Sequence, residues 1–170
     1  MENAFLLPET EFLADKNYLS KMKVVFVSRE KDDENIFIDH LISEGGETFF
    51  HYLNGIGHAY KSNMMLLSSR RNYSYGMSEL QGSAMVINLR RLNRVPHMKS
   101  FLNTISKAVV PGTCFAGCFS EYRSAGSSFN SNSLQEINRE EMISLLESIG
   151  FSLVDMTEIK GLTYFLAKKN

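Results

Sequence analysis

Short apolar runs alternate with amphipathic, glycine- or proline-terminated stretches along this chain, and that alternation constrains its fold more than any single motif. The runs are 23–28 (KVVFVS), 64–68 (MMLLS), 84–89 (AMVINL), 113–119 (TCFAGCF), 151–159 and 162–168. Each has strand length, and most are apolar enough to be buried on both faces. Between them lie helical patterns. Ile36, Phe37, His40 and Leu41 form one stripe, with Asp32 or Asp33 as the expected N-cap and Gly45-Gly46 as the stop. A second helix over 47–53 stops at Asn54-Gly55-Ile56-Gly57. Pro96 is placed to open a helix carrying Met98, Phe101, Leu102, Ile105 and Val109, and Pro111-Gly112 ends it. Asn138 and Glu141 make a capping box before Met142, Leu145, Leu146 and Ile149, and Gly150 closes that helix.

Strands alternating with helices imply an α/β fold, a mainly parallel sheet flanked by helices. The turn Lys160-Gly161 is too short for a crossover, so the last two runs form a C-terminal hairpin with an antiparallel closing strand. Val25, Val27, Leu66, Val86, Ile87, Phe115, Leu145, Leu146, Leu153 and Phe165 are the expected core. Residues 1–20, with Pro8, read as an irregular arm, and 21–170 as one domain.

With 18 basic against 19 acidic side chains the net charge is −1, which is no footprint for nucleic acid. No apolar run approaches the length of a membrane span, and the amino terminus lacks the basic start of a secretory signal, so a cytoplasmic protein is expected. Cys114 and Cys118 sit four apart on one strand, about 13 Å at the usual rise, too far to bond to each other; buried free thiols are expected. His40, His51, His58 and His97 fall on separate elements without ligand spacing, so no metal is expected.

The second half resembles the carboxyl half of class I S-adenosylmethionine-dependent methyltransferases. Val110-Pro111-Gly112-Thr113 matches the turn into that family's fifth strand, Ser148-Ile149-Gly150-Phe151 its last helix-to-strand step, and Leu162-Thr163-Tyr164-Phe165 its closing strand. Asn88 to Asn93 (NLRRLN) is also similar to a methyltransferase-like domain found beside bacterial sugar transferases of capsule and exopolysaccharide assembly. That resemblance implies a polysaccharide-assembly enzyme as partner. The family's cofactor motifs are missing: 23–28 leads into Arg29-Glu30 rather than a Gly-x-Gly, and Leu67 leads into Ser68-Ser69-Arg70 rather than an acid. The one Gly-x-Gly, Gly55-Ile56-Gly57, follows a helix and reads as a helix stop. No cofactor is therefore expected, and an active methyltransferase with an atypical cofactor loop is the alternative.

Ligands of open α/β sheets bind at the carboxyl ends of strands. Asn88, Arg90, Arg91, Asn93, Arg94 and His97 follow one such end, and Arg70 and Arg71 follow another. Guanidiniums gathered there suit an anionic small molecule or an acidic partner; the competing reading is a solvated exit whose arginines pair with nearby acids. His97 reads as a cap or surface residue more readily than as a catalytic one. Tyr73, Tyr75 and Met77 read as an edge strand or as a stacking lid over a nucleotide or sugar. The serine-rich stretch 120–133 reads as a second lid or as a plain connection.

Overall fold

The computed structural model describes residues 31–60, 63–67, 80–121 and 136–170. The expected arm and the strand over 23–28 lie outside these residues, as do Arg70, Arg71, Tyr73, Tyr75, Met77 and all but the start of the serine-rich stretch. Helices α1 (Lys31–Ser43) and α2 (Glu47–Gly55) lead to β1 (Met64–Leu67) and β2 (Met85–Asn88). A 3-10 turn (Leu92–Arg94), α3 (Met98–Ala108) and β3 (Cys114–Phe119) follow, then α4 (Arg139–Ser148), β4 (Phe151–Ile159) and β5 (Leu162–Lys169).

The strands form one sheet in the order β1-β2-β3-β5-β4. β1, β2 and β3 run parallel, and β5 is antiparallel to both β3 and β4. The protein is thus α/β with the single antiparallel closing strand that the methyltransferase resemblance implies. The hairpin turn places both Lys160 (φ 52°) and Gly161 (φ 77°) in left-handed backbone, the twist that suits a two-residue connection.

Two apolar layers cover the sheet, and the alternation of side chains decides which residue joins which. Met64, Leu66, Met85, Ile87, Cys114, Ala116, Cys118, Tyr164 and Leu166 pack under Phe37, Leu41, Phe49, Tyr52 and Leu53 of α1 and α2. Met65, Leu67, Val86, Phe115, Phe119, Phe165 and Ala167 pack under Met98, Phe101, Leu102, Ile105, Met142 and Leu146 of α3 and α4. β1, β2 and β3 are buried at every position, as strands covered on both faces must be. Gly117 lets the Phe165 ring lie against β3: a Cβ there would fall 2.6 Å from Cζ.

Several local expectations are corrected. Asp32 and Asp33 lie within α1 rather than capping it, since the helix already includes Lys31. The stripe of α1 is Phe37 and Leu41, while Ile36 is 59% exposed, because positions i and i+4 share a face and i−1 turns away from it. Pro96 does not open α3. The chain folds back through the 3-10 turn, drawn by the burial of Leu92 and Val95, and the helix starts two residues after the proline. α3 also stops at Ala108, one residue short of Val109. Leu145 and Leu153 are half-buried against the second layer rather than enclosed by it. Asn138 caps α4 as expected: its side chain accepts from the Glu141 amide at 2.8 Å, and its own amide donates to the Glu141 carboxylate at 2.9 Å.

Candidate functional site

Because β1, β2 and β3 are parallel, their carboxyl ends share one edge of the sheet. The residues expected there are divided by the structure into those already committed and those left open. Asn93 is committed. It is 4% exposed, donates through Nδ2 to the Ser120 carbonyl at 2.9 Å and accepts from the Ser120 amide at 3.3 Å. This pair of bonds ties the 3-10 turn after β2 to the exit of β3, so Asn93 acts as a clamp. Glu121 at the same exit is also committed. Its carboxylate accepts from Arg139 at 2.9 and 3.2 Å and from the Thr163 hydroxyl. Neither Glu121, Arg139 nor Thr163 has a motif in the sequence; only a fold that brings β3, β5 and α4 together assembles them.

Asn88 is different. It ends β2 fully buried, its Nδ2 donates to the Arg90 carbonyl at 2.6 Å, and its Oδ1 has no hydrogen-bond partner. Arg90 and Arg91 follow, half-buried, and Arg94 is exposed on the 3-10 turn. The ion pairs found among the described residues are His51 with Glu47 and Arg139 with Glu121, so Arg91 and Arg94 have none there. The reading in which the arginines are matched by nearby acids is not met for these two. His97 is exposed, takes left-handed backbone (φ 52°) as the N-cap of α3, and makes no side-chain cap bond. It therefore does not satisfy the helix start, whose positive end faces the same edge.

The Arg91 charge is felt on the α2 side of this edge. Burial pushes the Cys118 thiol up to about 12, and the Arg91 charge pulls against that rise. Tyr164 is likewise raised, by burial first and then by Cys118, with a hydrogen bond to Thr48 and the Arg91 charge lowering it. A cation that favours the anionic form of two groups it does not neutralise will favour any anion placed there. Both cysteines are free and buried, as expected, and Cys118 is held as a neutral thiol. Among the described residues no set of three His, Cys, Asp or Glu side chains is gathered for a metal, and no helix is long and apolar enough to cross a membrane.

The carboxyl end of β2 continues as Leu89-Arg90-Arg91 and that of β3 as Ser120-Glu121, whose acid is taken. Gly55-Ile56-Gly57 ends α2 and leads toward the amino end of β1, away from this edge, with Gly57 (φ 75°) as the chain reversal. The positions where the resemblance implies the cofactor's contacts, the exit of 23–28 and the stretch after Leu67, lie outside the described residues.

No family model matches the chain, and no curated protein matches it. Among solved structures it is similar to TnmH, with 13% identity and a TM-score of 0.45 over 57% of this chain and 34% of that one. It is similar to PigF with SAH at 15% and 0.46, over 60% and 41%. Magnesium protoporphyrin IX methyltransferase (ChlM) from Synechocystis PCC 6803 with bound SAH gives 14% and 0.42, over 60% and 54%. The chain spans about half the length of these proteins or less. At such identities and scores no residue role passes from them to this chain, and the methyltransferase-like arrangement rests on strand order and direction.

Proposed function

We propose that this chain is a methyltransferase-like domain that binds a small anionic ligand at the carboxyl edge of its sheet and does not turn over S-adenosylmethionine. The observation that carries the reading is Arg91: a half-buried guanidinium at a strand end of the ligand-binding edge, with no ion pair among the described residues. Taking such a charge from water is costly unless something offsets it. Arg94 and the start of α3 add positive potential from the same side, and clustered cations repel one another until an anion arrives. The likeness of Asn88 to Asn93 to the domain found beside sugar transferases supports a setting in surface-polysaccharide assembly with such an enzyme as partner.

Titration calorimetry tests both halves. Native protein should bind phosphate or a nucleotide-sugar, and the Arg90→Ala/Arg91→Ala variant should lose that binding while staying folded, since surface changes shift stability by no more than ~0.5 kcal/mol. S-adenosylmethionine and S-adenosylhomocysteine should give no heat at micromolar concentration. Micromolar cofactor binding would overturn this half and favour an active methyltransferase. A double variant that folds and still binds phosphate would remove the anion site.

A further inference from the structure

The carboxyl end of β2 leaves a second group unspent, and it is the opposite in kind to Arg91. Asn88 uses only half of its amide: Nδ2 is held by the Arg90 carbonyl, and Oδ1 accepts from nothing although the residue is fully buried. The bond through Nδ2 fixes which way the amide faces, so Oδ1 is aimed rather than free to turn. Buried polar atoms in folded chains nearly always have a partner, and an exception calls for an explanation. A donor that arrives with a ligand is one that also explains its place.

Asn88 lies on the α3 side of β2, in phase with Val86, whereas the Arg91 charge is felt by Cys118 and Tyr164 of the α2 side. Three residues of chain separate them, so their Cα atoms lie no more than about 11 Å apart. One small molecule can span the strand end and meet both. The group offered to Oδ1 is then a neutral donor, because an ammonium would enter a region already carrying Arg91 and Arg94 and be repelled. A hydroxyl suffers no such repulsion.

We infer that the ligand of this edge is an anion that also carries neutral hydroxyl donors, a phosphorylated or carboxylated polyol, and that Asn88 Oδ1 selects for the donor. The inference rests on the anion-binding reading of Arg91. A bare anion would satisfy the arginines and leave the asparagine oxygen as it is; a zwitterionic amino acid would bring the wrong donor. A site built to bond a hydroxyl discriminates sharply against the analogue that lacks it, since the protein group is then left unpaired.

The test is a comparison of glucose 1-phosphate with methyl phosphate at pH 8, where methyl phosphate has no proton to donate. Native protein should bind glucose 1-phosphate at least ~10-fold more tightly. Asn88→Leu, close in shape, should bring the two affinities within a factor of ~2 by weakening only the sugar phosphate, while Arg91→Ala should weaken both and keep their ratio. Because Asn88→Leu also removes the bond to the Arg90 carbonyl, the same question is put to the native chain with 2-, 3-, 4- and 6-deoxyglucose 1-phosphates. One of them should fall to the affinity of methyl phosphate. Equal binding of the two probes, a folded Asn88→Leu that keeps the preference, or deoxy analogues that all bind like the parent would each overturn the inference while leaving the anion site standing. Failure of native protein to bind either probe at millimolar concentration would remove the anion site itself.

Discussion

Replacing Asn93 with alanine separates a clamp from a ligand group. The side chain makes two bonds to Ser120, at 2.9 and 3.3 Å, across a sequence gap of 27 residues. Each is worth roughly 0.5–1.5 kcal/mol net, the longer one at the low end. Ser120 is half-buried, so water recovers part of what its amide and carbonyl lose, which keeps the added desolvation small. The sum is about 2 kcal/mol, or roughly 4–8 °C in Tm for a chain of this size. Urea unfolding should show a lower midpoint at unchanged slope. Asn93→Asp should be no better than alanine: it keeps an acceptor for the Ser120 amide but sets a carboxylate against the Ser120 carbonyl. Phosphate binding, measured well below the melting range, should survive in Asn93→Ala. A variant as stable as the native chain that has lost binding would refute the clamp and return Asn93 to the ligand site.

Gly117→Ala should cost about 1–3 kcal/mol by overpacking, because the new methyl meets the fully buried Phe165 ring, itself set against Phe115 at 5.7 Å; adding Phe165→Leu should recover part of the loss, and additivity of the two changes would refute the contact. Stability should fall as pH rises from about 9 toward 12. The Cys118 thiol ionises near its ordinary value when unfolded but holds its proton to about 12 when folded, so the unfolded state binds fewer protons there and the slope is negative. Cys118→Ala should flatten that fall, and an unchanged alkaline slope would show that the thiol does not cause it. In folded native protein at neutral pH the same thiol should resist a soluble alkylating reagent until urea is added, since it is 2% exposed and neutral.

The elements were legible because their signals are local. Period-two and period-3.6 patterns give the strands and helices within a residue or two, the Asn138 box gives its helix start, and Lys160-Gly161 gives the hairpin. What was not legible depends on neighbours in space. Nothing in LTYFLAKK says that β5 inserts between β3 and β4. That insertion brings Thr163 to Glu121 and turns an acid at a strand end into a filled pair. Leu92 and Val95 sit in a stretch that reads as polar, and their burial creates the 3-10 turn that displaces the start of α3. Asn88 and Asn93 look alike in sequence, both asparagines beside arginines after one strand. Only the position of Ser120 tells them apart.

Among the described residues the two edges of the sheet are finished to different degrees, and the difference supports the proposed placing of the ligand at the carboxyl edge. At the amino edge of β3 the polar groups close on one another. Thr113 donates to the Ser83 carbonyl, and Lys169 donates to Ser106 and to the Ile149 carbonyl at the end of α4. Ser152 donates to Asn170, whose amide donates to the Gly150 carbonyl. Even the Lys169 charge is spent, lying 5.3 Å from the Phe151 ring centroid. At the carboxyl edge Asn93, Ser120, Glu121, Arg139 and Thr163 are spent in the same way. Among the described residues, what is left over at the exit of β2 is a carbonyl oxygen on Asn88 and the guanidiniums of Arg91 and Arg94. An acceptor and a cation left together at one strand end are what the proposed anion site calls for.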